Sequence, residues 1–161
     1  NLMVIDSGSL PTPVLFQTKT LLAALGKQQT VVTAASLKPQ ELVGRDLLFL
    51  GYPQDQRLLL SLPTDLVIDK EGFSLFGRHF DDPGDALFVS LPHPRDPDHQ
   101  ASIFFPLSEK AAASVGRKIP HYGKYSYLVF SEDGTPVKGT WPVLTSPLIR
   151  DFHPIHPEGT R

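Results

Sequence analysis

The run Asp46-Leu47-Leu48-Phe49-Leu50-Gly51 is apolar at every position between its aspartate and its glycine. A run with no polar face predicts a strand buried on both sides, the pattern of parallel sheets covered by helices. Upstream, Leu2-Met3-Val4-Ile5 is a shorter apolar run that stops at the turn residues Asp6-Ser7-Gly8-Ser9. Beyond Pro11-Thr12-Pro13, the residues Val14, Leu15, Thr18, Leu21, Leu22 and Leu25 recur at helical spacing, and Gly26 follows as a terminator. This predicts a helix over 13–25. The β-branched Thr30-Val31-Val32-Thr33-Ala34 reads as a second strand. One or two helical turns are expected over 36–42 and a short helix over 56–62. Three strand-then-helix units in succession predict a parallel sheet built through crossovers.

The middle of the chain interrupts this rhythm. Leu66 to Phe76 reads as a hairpin with Glu71-Gly72 near its turn. Strands are expected at 86–90 and 102–105, with the proline-rich loop Pro92–Gln100 between them. Ser108 is placed to cap a helix over 109–118, and 125–130 is the last clear strand. Asp133-Gly134 signals a turn, after which 137–143 would add an edge strand. The expected architecture is a three-layer, Rossmann-like or flavodoxin-like α/β fold, a mostly parallel sheet with an inserted β-hairpin. Residues 1–150 would form a single accessory domain and 151–161 a tail or linker. Both ends look cut, as expected of a segment of a longer protein.

Composition narrows the chemistry. The 161 residues carry a formal net charge of −2, so no basic excess recruits nucleic acid or anionic lipid. There are no cysteines, which excludes disulfides, thiolate zinc sites, iron–sulfur clusters and cysteine nucleophiles. No apolar run approaches the ~20 residues that span a bilayer, so membrane insertion is not expected. The glycine-rich dinucleotide and phosphate-loop signatures, the nucleophile elbow and the His-Glu-x-x-His zinc motif are all missing from the sequence. No catalytic residue, metal or cofactor is therefore assigned.

Open α/β sheets bind ligands beyond the carboxyl ends of their strands. Three loops qualify: Asp6-Ser7-Gly8-Ser9, Gly51-Tyr52-Pro53 and Pro92-His93-Pro94. Ser7 and Ser9 would offer hydroxyls and backbone N–H groups to an anion at a helix N-terminus, or form an ordinary turn with a cap. His93, Asp96, Asp98 and His99 crowd one loop with groups that bind divalent metals, yet in a spacing that matches no metal motif and reads as a solvated connector. Asp81-Asp82 and the Asp65/Asp69 pair read as solvated loop and hairpin positions, and His153 and His156 fall in the tail. The densest cluster is His121, Tyr122, Lys124, Tyr125 and Tyr127. Alternation places Tyr125 and Tyr127 on one strand face, to stack a ligand or to cover the sheet. The ligand-binding candidates are thus Ser7, Ser9, His93, His121, Tyr122 and Lys124.

The block Arg117-Lys118-Ile119-Pro120-His121-Tyr122-Gly123-Lys124-Tyr125-Ser126-Tyr127-Leu128-Val129-Phe130, followed by Lys138-Gly139-Thr140-Trp141-Pro142-Val143, resembles a C-terminal region of large bacterial zinc aminopeptidase-like proteins of the gluzincin, membrane alanyl aminopeptidase type. In that family the region follows the peptidase module and is not its catalytic part. Gly51-Tyr52-Pro53, Pro92-His93-Pro94 and Ala111-Ala112-Ala113 also look like parts of α/β domains of S-layer-type surface proteins. The resemblance implies a non-catalytic accessory or binding domain, extracytoplasmic, that docks on another domain of the same chain or on a protein or peptide partner. The competing expectation is a small hydrolase or ligand-binding enzyme in which Ser7, Ser9, His93 and His121 converge above the strands. A third is an assembly domain that pairs through a sheet edge.

Overall fold

The computed structural model describes residues 2–24, 31–53, 61–131 and 136–142. The apolar runs do form strands: β1 (Leu2–Asp6), β2 (Val31–Thr33) and β3 (Asp46–Leu50). The next three, β4 (Leu66–Ile68), β5 (Phe73–Leu75) and β6 (Arg78–Phe80), are short. They are followed by β7 (Ala86–Pro92), β8 (Gln100–Pro106), β9 (Tyr127–Phe130) and β10 (Val137–Gly139). The α-helices among the described residues are α1 (Thr12–Ala24) and α2 (Glu109–Gly116).

The expected mostly parallel Rossmann-like or flavodoxin-like α/β fold is not what forms. A seven-stranded mixed sheet runs in the order β10-β9-β7-β8-β3-β1-β2, and a separate antiparallel sheet runs β4-β5-β6. The large sheet has three parallel pairings, β1 with β2, β1 with β3 and β3 with β8. It has three antiparallel ones, β7 with β8, β7 with β9 and β9 with β10. The decisive departure is the loop after Pro92. It closes a long antiparallel pair, from Ala86 opposite Pro106 to Pro92 opposite Gln100, where a crossover would have kept strands parallel. Between β2 and β3 the expected helical turns are two short 3₁₀ segments, Ala34–Ser36 and Pro39–Leu42. Most of the helix expected over 56–62 lies outside the described residues, as do position 143 and the tail at 151–161.

Different layers cover the two faces of the large sheet. On one, Phe104, Leu128 and Phe130 pack with Ala111 and Val115 of α2, and α1 packs alongside α2. On the other, Phe105, Val89 and Val129 share a core with Leu66, Ile68, Phe73, Leu75 and Phe80 of the small sheet. The inserted hairpin is thus a three-stranded unit that acts as a lid of the core. Asp69 Oδ1 shapes its first turn by accepting from the N–H groups of Glu71 and Gly72 at 2.9 and 2.8 Å. Phe76 and Gly77, with φ of 52° and 78°, make its second turn. Consecutive positive φ values match the right-handed twist of the flanking strands.

Ser108 Oγ accepts from the Ala111 N–H at 3.1 Å and caps α2. Its hydroxyl also donates to the Pro83 carbonyl. Ser108→Ala is expected to lower stability by about 1 kcal/mol through loss of the cap, read as a fall in the thermal midpoint. An unchanged midpoint would mean that packing alone holds the helix start.

Candidate docking surface

The sequence-identified residues fall at three separate places. Ser7 and Ser9 sit past the carboxyl end of β1. Ser7 Oγ donates to the Leu50 carbonyl at 2.6 Å and lies 2.9 Å from Ser9 Oγ, which accepts from the Tyr52 N–H at 2.9 Å. The pair therefore knits the β1–α1 loop to the end of β3, and Ser7 is buried. His93 lies at the opposite end of the sheet, in the β7–β8 loop beside the first residues of β8. It is buried, its Nδ1 accepts from the Arg95 N–H at 3.1 Å, and its Nε2 lies 3.1 Å from the Leu42 carbonyl. With Nδ1 accepting, Nε2 is the ring nitrogen that faces the Leu42 carbonyl.

The rest of that loop is also internally bonded. Asp96 accepts from the N–H groups of Gly44 and Asp98. The Gly44 contact holds its carboxyl below the usual range. Among the described residues no group of three or more His, Cys, Asp or Glu side chains is arranged to hold a metal ion.

Tyr122 and Lys124 both border Tyr125, while His121 is exposed beside them in the sequence. After α2 the chain turns through a 3₁₀ segment, Ile119–Tyr122, in which Pro120 occupies an early position that needs no donor. The turn aims Tyr122 at Phe130, ring centroids 5.9 Å apart, and Tyr125 at Tyr122, 6.2 Å apart. Pairing of Lys138 with Leu128 then carries a lysine from the edge strand β10 onto the same aromatic surface. Lys138 Nζ stands 5.1 Å from the Tyr122 ring centre and 5.3 Å from that of Tyr125. Lys124 Nζ is 5.2 Å from the Tyr125 ring, and Lys118 Nζ is 5.9 Å from the Phe130 ring. Three lysines thus stand within about 6 Å of the ring centres of this one segment, the reach of a cation–π contact. The described histidine–carboxylate contacts, His79 with Asp81 at 3.7 Å and His99 with Asp46 at 3.3 Å, lie elsewhere.

Tyr125 and Tyr127 do not share a face as alternation suggested, because β9 begins only at Tyr127. Tyr127 turns to the other side of the sheet, against Trp141 at 4.6 Å and the exposed Phe76 at 5.4 Å. Trp141 Nε1 donates to the Ser90 carbonyl at 3.1 Å and fixes that second aromatic group.

Lys138 and Lys118 are the surface members that residue-by-residue reading missed. Lys118 lay in the expected helix, and Lys138 joins the surface only through strand register. No family model matches the chain, and no curated protein matches it. Among the described residues no helix is long and apolar enough to cross a membrane.

Proposed function

We propose that this chain is a non-catalytic binding domain that docks a carboxylate-bearing polypeptide surface on its tyrosine–lysine face. The observation that carries this reading is the clustering of Lys118, Lys124 and Lys138 over Tyr122, Tyr125 and Phe130. From Ser114 to Ser131 the sequence contains Arg117, Lys118, His121 and Lys124 and no Asp or Glu, in a chain whose net charge is −2. A locally positive face on a mildly acidic molecule attracts acidic partners and repels basic ones. The rings supply rigid contact area at low entropic cost and hold the ammonium groups in place. The partner is another module of the same polypeptide or a separate protein or peptide. If the parent is zinc aminopeptidase-like, as the resemblance of 117–130 and 138–143 implies, the peptidase module would be that partner.

Titration with a short oligo-glutamate peptide, with oligo-lysine as control, tests the reading. Saturable binding of oligo-glutamate alone is expected, about tenfold weaker as ionic strength rises from about 0.01 to about 0.15 M. The double variant Lys124→Glu/Lys138→Glu should lose it without loss of fold. Equal affinity in the variant, equal binding of oligo-lysine, or preference for a single-stranded oligonucleotide would contradict the reading.

A further inference from the structure

Helices α1 and α2 do not close over the whole sheet. Leu48 and Phe88, on strands inside the seven-stranded order, are only partly buried. A cavity of about 290 Å³ opens above them, with Leu22, Phe104 and Ile119 among its walls and Asp46 in its lining. We infer that this cavity is a binding site for a small apolar molecule bearing an ammonium group, its body against Leu48, Phe88 and Phe104 and its cation on the Asp46 carboxylate.

Besides Gln100, whose amide also borders the cavity, the polar side chains of the lining separate into two kinds. Thr18 Oγ1 donates to the Val14 carbonyl at 2.8 Å, and Ser102 Oγ lies 3.2 Å from Ser90 Oγ, so both hydroxyls are already partnered. Asp46 is different. The Gln100 N–H, at 3.0 Å, and His99 Nδ1, at 3.3 Å, both address Oδ1. Among the described residues Oδ2 has no hydrogen-bond partner. Its side chain is 51% exposed. The Gln100 N–H, ahead of the opposing effect of burial, holds this carboxyl below its usual range. Asp46 is therefore the carboxylate at the rim of a mainly apolar hollow.

Ligand pockets run from about 300 to about 1,000 Å³, so this one suits a molecule on the order of ten heavy atoms. An apolar body gains by leaving water. A carboxylate head would meet Asp46 as a like charge, and a neutral head would offer Oδ2 no cation. The site is distinct from the tyrosine–lysine face and does not depend on that reading.

Calorimetric titration at about pH 8, where an ordinary imidazole is neutral, compares three probes of one shape: 2-phenylethylammonium, 2-phenylethanol and 3-phenylpropanoate. The ammonium compound is expected to bind about tenfold or more tighter than the propanoate. Asp46→Asn keeps an acceptor for the Gln100 N–H and should erase that preference while apolar binding persists. Leu22→Trp, which fills the hollow, should abolish binding of all three with the circular dichroism spectrum unchanged. Equal affinities in the parent chain, no binding at millimolar probe, or an undiminished preference in Asp46→Asn would overturn the inference.

Discussion

Phe73→Ala is expected to cost about 4 kcal/mol of folding stability, the range for removing a fully buried aromatic ring. Phe73 is 0% exposed. Its ring stacks on Phe80 with centroids 5.1 Å apart and meets Phe105 of the large sheet edge-on at 6.4 Å. It is thus the bolt between the two sheets. A three-stranded unit of such short strands has little independent stability, so loosening it exposes the face of the large sheet that it covers. Urea unfolding should show the midpoint falling with little change in slope, because the loss is of native packing. Phe73→Leu, which keeps most of the volume, should lose less than about 1.5 kcal/mol. A loss below about 1 kcal/mol for Phe73→Ala would mean that the small sheet is not fastened to the core as described.

Gly51→Ala is expected to cost about 3 kcal/mol, from two separate effects. The residue sits at φ +81°, where an L side chain is strained. A Cβ there would also meet Ser9 Oγ, lie 2.6 Å from Ser7 Oγ and come within 3.0 Å of Leu10 Cγ. Neither hydroxyl can yield cheaply, because Ser7 Oγ bonds Leu50 and Ser9 Oγ bonds Tyr52. Ser9→Ala combined with Gly51→Ala should recover part of the loss, since one of the colliding groups is gone. A Gly51→Ala protein as stable as the parent, by the same urea assay, would contradict the close approach of these two loops.

The same pair of loops shows what the sequence made legible. Apolar runs ending in Gly or Asp-Ser-Gly marked β1 and β3, because a strand's neighbours in sequence carry its stop signals. Ser108 and the alanines after it marked α2, because capping and propensity are local. The pairing partners were not local. A strand buried on both faces reads the same whether helices or a second sheet cover it, and here the cover of one face is Phe73, Leu75 and their neighbours. The direction of β7 hung on whether the loop after Pro92 closes a hairpin or begins a crossover, and its charged, proline-rich composition fits either.

Among the candidate site residues, Tyr122 and Lys124 were legible as a cluster because His121, Tyr125 and Tyr127 stand beside them in the sequence. Lys138 joins them only because Gly139 pairs with Tyr127 and so places Lys138 opposite Leu128. Ser7 and Ser9 are partnered by backbone groups 43 positions away. That distance in sequence concealed their role in tying strand ends together.

Backbone amide NMR during titration with oligo-glutamate tests the docking account most directly. Shift changes should concentrate at residues 118–125 and 137–139 and disappear in Lys124→Glu/Lys138→Glu. Changes centred on Ser7, Ser9 and Gly51, or none at saturating peptide, would contradict it.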